Sequence, residues 1–276
     1  MNGENPQAGL PLNGPNSITL NFDAQTVRIE TDSKETHLSF SDPEAFAVLS
    51  EAWLLLGWHT KFVYTFSWLG RPIIQLPEDL LRLQEAIYQL QPDVIVETGV
   101  AHGGSLVFHA TLCRAIGRGR VIGVDIEIRS HNRQAIENHD LSDLITLVEG
   151  NSIAASTFLK VRSLVKEGET AMVILDSNHS KDHVLAELKL YADLVSPGSY
   201  LIAADGIMEK VSGAPRTQPD WTWNNPKAAV KEFLGERDDF TLITPQPIFD
   251  EGTTIGTPTY WPDGWLRRKS SGDQPQ

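Results

Sequence analysis

The chain has 276 residues, of which 41% are hydrophobic and 21% charged, and a formal net charge of −13. These values are typical of a globular α/β domain with terminal extensions, and the acidic balance disfavours a nucleic acid as partner. A single cysteine, Cys113, excludes an internal disulfide and favours a cytoplasmic protein. We expect no signal peptide and no membrane span, because no apolar run reaches the ~18 residues of a membrane helix.

Residues 18–90 predict an N-terminal extension made of a hairpin and helices. It follows a stretch rich in Asn, Gly and Pro over 1–17, which predicts a disordered tail. Alternating apolar residues over 17–29 predict the hairpin. Helices are expected over 42–56 and 77–90, each with a proline in its first turn.

From residue 92 apolar strands alternate with helices, which predicts a Rossmann-like α/β fold. The sheet is expected to be mostly parallel, with helices on both faces. The predicted strands cover 92–97, 120–125, 144–148, 170–175, 199–203 and 240–243. The predicted helices cover 104–116, 131–138, 153–167, 181–194 and 226–234. We place this domain at 91–268, with a loop-rich end and a second disordered tail over 269–276.

The stretch PDVIVETGVAHGGS over 92–105 predicts a cofactor site, because a strand leads through a glycine-rich turn into a helix. The Gly-x-x-x-Gly-Gly spacing that begins at Gly99 is not that of dinucleotide binders. Glu97 would also repel a phosphate there. Asp125, at the end of the second strand, suits the hydroxyl groups of a ribose. A positively charged adenosyl ligand fits these features, and S-adenosylmethionine (SAM) is the common one.

Polar or acidic residues follow five predicted strands, at 97–99, 125–127, 149–152, 176–179 and 205–206. Residues of these types often cap helices or form turns. Because ligands of a parallel sheet bind beyond the carboxyl ends of its strands, five such ends together favour a ligand crevice.

Asp176 and Asp205 end two apolar strands and suit Mg²⁺ or another divalent cation. The alternative is that Asp176 contacts the cofactor and Asp205 caps a loop. His179 lies one turn after Asp176 and is a candidate general base that removes a hydroxyl proton. Its alternative role is to cap the helix over 181–194. His102, inside the glycine turn, is a candidate cofactor contact.

The acceptor pocket is expected in the least patterned parts of the chain, at 58–76, 207–224 and 245–262. Candidates for a sugar or ring platform, with core packing as the alternative, are Trp58, Trp68, Trp221 and Trp223. The aromatic stretch over 53–68 offers more apolar surface than one sheet edge covers, which predicts a homo-oligomer.

Five segments occur in the order of one known family. They are WLGRPIIQLPEDLLRLQEAI (68–87), PDVIVETGVAHGGS (92–105), LDSNHSKDHVLAELKLYADLVSPGSYLIAADG (175–206), NPKAAVKEFL (225–234) and PDGWLRR (262–268). Over about residues 58–268 the chain resembles the cephalosporin hydroxylase/rhamnosyl O-methyltransferase family. Despite the first half of its name, that family has a SAM-dependent methyltransferase fold. It is similar to macrocin- and novobiocin-type sugar O-methyltransferases, which use Mg²⁺ to bind a vicinal diol.

The resemblance implies SAM-dependent O-methylation of a rhamnosyl-type sugar hydroxyl, or of another natural-product or glycolipid acceptor. It assigns Glu97, Gly99 and Ser105 to the methionine end of SAM, and Ser152 or its neighbours to the adenine. It also matches Asp125 to the ribose, and Asp176 and Asp205 to metal ligands. Motif and resemblance together predict a cofactor site of Glu97, Thr98, Gly99, His102, Gly103, Ser105, Asp125, Ile126, Ser152 and Asp176.

Two departures from the family pattern bear on the chemistry. Ala204 stands where related enzymes have the first of two adjacent acids, which weakens or reshapes the metal site. Asn178 stands where they can carry an acidic base, which leaves His179 and Asp176 as the catalytic candidates. Both departures keep open a non-catalytic SAM-binding partner protein.

An oxygenase is the other alternative function. Mononuclear iron oxygenases use two histidines and one carboxylate, usually with a His-x-Asp/Glu pair. None of the eight histidines has an acid two positions later, and the predicted parallel fold is not the expected antiparallel one.

Overall fold

The computed structural model describes residues 14–270 and residue 272. Most of the two predicted disordered tails, at 1–13, 271 and 273–276, lies outside the described residues. The predicted tails and domain boundaries therefore stay predictions.

The N-terminal extension opens with an antiparallel sheet of three strands: β1 (Ser17–Asn21), β2 (Thr26–Glu30) and β3 (Glu35–Ser39). The predicted hairpin is confirmed, and β3 is an addition. Val27 and Ile29 of β2 are buried in a small apolar cluster with Ala45. Ala45 belongs to α1 (Pro43–Thr60), which begins at the predicted proline and continues four residues past its predicted end.

A short hairpin and a second helix complete the extension. The hairpin strands are β4 (Phe66–Trp68) and β5 (Arg71–Ile73), in a stretch that the sequence left irregular. The second helix, α2 (Pro77–Leu90), has its predicted bounds. Leu83 and Ile87 lie on one face of α2 and are fully buried.

A sheet of seven strands forms the centre of the molecule. In chain order the strands are β6 (Val94–Thr98), β7 (Arg120–Asp125), β8 (Ile145–Glu149), β9 (Ala171–Leu175), β10 (Tyr200–Ala203), β11 (Phe240–Leu242) and β12 (Trp265–Arg268). Their spatial order is β11-β12-β10-β9-β6-β7-β8. The first five strands of the chain order pair in parallel, and β12 runs antiparallel to both of its neighbours.

Helices cover both faces of this sheet, as predicted. They are α3 (Gly104–Ile116), α4 (Ser130–Glu137), α5 (Ala155–Leu164), α6 (Lys181–Tyr191) and α7 (Pro226–Glu236). Because side chains alternate between the two faces of β6, Ile95 packs in the apolar cluster that contains α2 and α3. Val94 and Val96 pack on the opposite face with α5, α6 and α7. Two apolar layers therefore enclose the sheet.

The strand order reverses beside β6. The chain proceeds from β6 through β7 to β8 on one side, then crosses to β9 and β10 on the other. Loops that leave β6 and β9 therefore diverge at their carboxyl ends, which opens a crevice there. Among the described residues, none of the helices combines the length and the apolar character needed to cross a bilayer.

Candidate functional site

The glycine loop between β6 and α3 fits tightly between two neighbouring backbones. Gly99 has a φ of +96°, and a Cβ there would overlap the backbone carbonyl oxygen of Asp176. At Gly104 a Cβ would overlap the backbone carbonyl of Pro72. Only residues without a side chain fit these two positions, so the close approach explains the spacing seen in the sequence.

Three polar side chains hold this loop in place. Asp125 Oδ2 accepts the backbone N–H groups of residues 100–101, at 2.8 and 3.3 Å. Asn132 donates to the carbonyl of residue 101 at 2.9 Å. The Arg71 guanidinium donates to the His102 carbonyl at 2.6 and 2.9 Å and to Asn132 at 3.0 Å. Asp125 therefore orders the loop in addition to its predicted role at a ribose. No sequence pattern pointed to Arg71 or Asn132.

A cavity opens between this loop, the segment over 72–75 and Asp176. Four of the predicted cofactor residues line it: Gly99, His102, Ser105 and Asp176. The others lie around it: Glu97, Thr98 and Gly103 are buried behind the lining, Asp125 holds the loop, and Ile126 is 71% exposed. The structure thus places four of the ten predicted cofactor residues in the cavity lining, and their contacts with a ligand stay predictions.

Ser152, the predicted adenine contact, is buried in a network with α6. Its hydroxyl group lies 3.1 Å from His183 Nε2, which is 3.2 Å from the Ser177 hydroxyl. Ser177 in turn donates to Glu187 at 2.8 Å. The network joins the loops after β8 and β9 through His183 of α6.

Asp176, His179 and Asp205 meet at the carboxyl ends of β9 and β10. His179 Nε2 lies 3.4 Å from Asp205 Oδ2 and 3.9 Å from Asp176 Oδ1. One ligand atom from each of the three falls within 4.8 Å of the others, close enough to hold one cation. His179 sits in the turn before α6, and its Nε2 faces both carboxylates.

The environment of Asp176 disfavours its negative charge. Burial raises its pKa well above the usual range, and the charges of Asp205 and Glu97 raise it further. The Gln75 amide, at 3.4 Å, is a hydrogen-bond donor to Asp176 that opposes this rise. Neutralising charge supplied by a cation would stabilise such a cluster, so the donor set fits a divalent metal ion.

The first turn of α2 binds residues 259–260, which pack against the loop that follows Asp205. Asp79 is buried there and accepts the Thr259 hydroxyl and, at 2.8 Å, the Tyr260 backbone N–H. The Tyr260 carbonyl then accepts the Ile207 N–H at 3.0 Å, two residues after Asp205. Asp79 therefore connects α2, through residues 259–260, to the loop that follows Asp205.

Aromatic side chains cluster near Tyr260, within the stretches predicted for the acceptor. The Trp58 ring centroid lies 5.7 Å from that of Trp221 and 6.2 Å from that of Tyr260. Arg216 lies over the Trp58 ring, 6.0 Å from its centroid. Trp68, by contrast, packs against Phe108 and α3, and Trp223 is 63% exposed. Trp58 and Trp221 are thus the better placed platform candidates, because their cluster includes Tyr260, whose carbonyl accepts the Ile207 N–H beside Asp205.

Comparisons with known proteins find similar sequences and a similar fold. The family model for "Rhamnosyl O-methyltransferase/CmcI" matches residues 60–269. A rhamnosyl O-methyltransferase of Mycobacterium leprae (strain TN) is 31% identical over 162 residues, which are 58% of this chain and 69% of that protein. One of Mycobacterium bovis (strain BCG / Pasteur 1173P2) is 34% identical over 139 residues, which are 50% of this chain and 54% of that protein. The chain thus spans about half the length of the second relative.

A solved CmcI structure with Mg and SAM is 23% identical, with a TM-score of 0.50 over 75% of this chain and 78% of that chain. At this level of identity the likeness shows the fold alone. It confirms the predicted Rossmann-like fold of SAM-dependent methyltransferases.

Proposed function

The chain belongs to the rhamnosyl O-methyltransferase/CmcI family, and from this membership we propose that it transfers a methyl group from SAM to a sugar hydroxyl. The acceptor is a rhamnosyl group or another glycosylated natural product or glycolipid. One observation carries the proposal: Asp176 belongs both to the lining of the glycine-loop cavity and to the cluster with His179 and Asp205. A methyl donor and an ionisable acceptor hydroxyl would therefore meet at this residue.

The glycine-loop cavity is the proposed SAM site. The CmcI relative binds SAM, and the loop here leaves backbone close to the cavity because Gly99 and Gly104 have no side chains. Ser105 and His102 line the cavity, with Asp125 and Ile126 on the ribose and adenine side. When bound, SAM supplies an electrophilic methyl group, and the residues of this chain hold the acceptor oxygen in line with it.

Asp176 and Asp205 are the proposed ligands of Mg²⁺ or another divalent cation. Two carboxylates are enough for Mg²⁺ when water and substrate oxygens complete the set, and the same CmcI relative carries Mg. A cation held there would acidify an acceptor hydroxyl. Ala204, which replaces an acid expected beside Asp205, is fully buried among apolar residues, so it adds no ligand.

His179 is the proposed general base. Mg²⁺ prefers oxygen ligands, so the imidazole stays free beside the two carboxylates and takes the proton from the acceptor hydroxyl. The cluster has one histidine and two carboxylates, the reverse of the set used by mononuclear iron oxygenases. That donor set supports methyl transfer over the oxygenase alternative.

Methyl transfer from radiolabelled SAM to a panel of rhamnosides and other glycosides tests the proposal. We expect labelled product with Mg²⁺, loss after exhaustive EDTA treatment and recovery when Mg²⁺ is restored. His179→Ala should lower kcat by roughly 10²–10⁴-fold, the usual contribution of a general base, while S-adenosylhomocysteine (SAH) still binds. His131→Ala, at an exposed histidine of α4, is the matched control. Full turnover in EDTA would contradict the metal assignment. An absence of turnover with every acceptor of the panel would contradict the proposal that the chain is a methyltransferase.

We also propose that the chain works as a homo-oligomer in the cytoplasm. Aromatic residues of the stretch over 53–68 partly pack on each other, as in the Trp53–Phe62 contact at 5.4 Å. Leu56 and Tyr64 nevertheless remain 63% and 61% exposed, and exposed apolar residues of this kind often mark contacts. Light scattering at micromolar concentration that gives only the 30.6 kDa chain would refute self-association.

A further inference from the structure

A histidine that the proposed mechanism does not use lies buried beneath the glycine loop. His109 of α3 and Glu97 of β6 are both 0% exposed, and His109 Nε2 lies 3.5 Å from Glu97 Oε2. Neither carboxylate oxygen and neither imidazole nitrogen has a hydrogen-bond partner among the described residues. Four such atoms in one place require an explanation, because buried polar groups are normally paired.

This arrangement costs stability and therefore points to a function. Two polar groups that face each other in the core are harder to accommodate than two apolar residues of the same size. The neighbouring residues leave little freedom: the Phe108 ring packs edge-on against His109, with the ring centroids 5.4 Å apart. Full burial and this ring contact restrict the His109 side chain, whose Nε2 faces Glu97.

Glu97 is buried, but its charge reaches the proposed cofactor site. It lies two residues before Gly99, directly under the loop, and its negative charge acts on Asp176 in the cavity wall. An electrostatic effect of this kind needs no direct contact in a region of low dielectric. A buried carboxylate can therefore favour the ammonium group that SAM and SAH share at the methionine end, provided that the position of the carboxylate is fixed.

We propose that His109 is a positioning residue that holds the Glu97 carboxylate beneath the glycine loop and so strengthens binding of the methionine end of the cofactor. This inference rests on the proposed function. It assigns His109 no contact with the ligand and makes it act only through Glu97.

Calorimetric titration with SAH compares His109→Asn with His109→Gln, whose side chains differ in how far their amide nitrogen extends toward Glu97. The terminal amide nitrogen of a glutamine can take the place of imidazole Nε2, whereas that of an asparagine cannot. We expect His109→Asn to weaken SAH binding by about tenfold, because the carboxylate loses the imidazole nitrogen that lies 3.5 Å from it, and His109→Gln to retain most of the affinity. His37→Asn is the control, because His37 also pairs with a glutamate, Glu35, but on the exposed N-terminal sheet.

A double-mutant cycle separates positioning from packing. In a Glu97→Gln background, His109→Asn should cause little further loss of SAH affinity, because the carboxylate through which His109 acts is gone. Equal losses in both backgrounds would show that His109 only fills space, and would overturn the inference.

A measurement on the unmodified chain covers the case in which the variants fail to fold. With ¹⁵N-labelled histidine, the His109 ring signals should shift when SAH saturates the protein, although the ring does not touch the ligand. Saturating SAH that leaves the His109 signals unmoved overturns the inference alone. Failure of the unmodified chain to bind SAH overturns the proposed function as well, so the two failures are distinguishable.

Discussion

At the scale of single residues, Asp79 links the stability of this protein to pH. Burial raises the pKa of Asp79 from 3.8 to about 7, against the opposing effect of its hydrogen bonds from Thr259 and Tyr260. Between these pH values the folded chain keeps a proton that the unfolded chain has released. Stability contributed by this group is therefore highest at low pH and falls as pH rises to about 7, by about 4 kcal/mol in all.

Substituting Asp79 by asparagine should remove this pH dependence. An asparagine keeps the shape, accepts the Tyr260 N–H and donates to the Thr259 oxygen. Urea denaturation at pH 5 and pH 8 should show a smaller loss of unfolding free energy for Asp79→Asn than for the unmodified chain. Asp182→Asn, in the first turn of α6 but exposed, should leave the difference unchanged. An Asp79→Asn variant with the full pH dependence would show that another group causes it.

Position relative to the strands decides which site residues the sequence reveals. Asp176, His179 and Asp205 directly follow apolar strands, so their meeting is predictable from the rule for parallel sheets. His109 is hidden in the apolar pattern of α3, and Gln75 lies in a stretch without periodicity. Their roles depend on which elements pack together, which the local sequence does not express.

At the scale of elements, the start of α3 is fixed by its contact with β5. A Cβ at Gly104 would overlap the Pro72 carbonyl and lie 2.8 Å from the Ile73 Cα. Both neighbours are backbone, so the helix or the hairpin must move to make room.

Gly104→Ala should lower the unfolding free energy by about 1–3 kcal/mol, the usual cost of overpacking, and should weaken SAH binding because the cavity wall shifts. Thermal denaturation and SAH calorimetry measure the two effects. Gly235→Ala is the control: Gly235 lies in α7 with nothing within 4 Å of an added Cβ, so this change should be neutral or stabilising. Equal behaviour of the two variants would contradict the tight contact.

Most helices and strands are predictable from local sequence patterns, but β12 is not. The alternation from residue 92 to 203 predicts β6 to β10 and their helices because apolar strands and amphipathic helices have different periods. The four residues of β12 lie within a loop-rich stretch and become a strand by pairing with β10 and β11. Such non-local pairing leaves no local signal.

At the scale of the whole molecule, one apolar core joins the extension to the sheet. Leu54 of α1 and Val63 share a cluster with Ile95 of β6 and Leu106 of α3. The extension therefore forms one wall of the site, since Gln75 donates to Asp176, while Asp79 in α2 holds residues 259–260, which pack on the loop that follows Asp205. The glycine-loop cavity is accordingly lined both by the extension, at residues 72–75, and by loops of the sheet.

Calorimetric titration of SAH into the full chain tests the central claim most directly, because it needs no knowledge of the acceptor. We predict one site per chain with a dissociation constant on the order of micromolar, weakened at least about tenfold by Asp125→Ala, which removes the predicted ribose contact and frees the loop amides. Asp143→Ala, at an exposed acid paired with Arg114, should leave the affinity unchanged. An absence of binding, or equal affinity in the Asp125→Ala variant, would contradict the account.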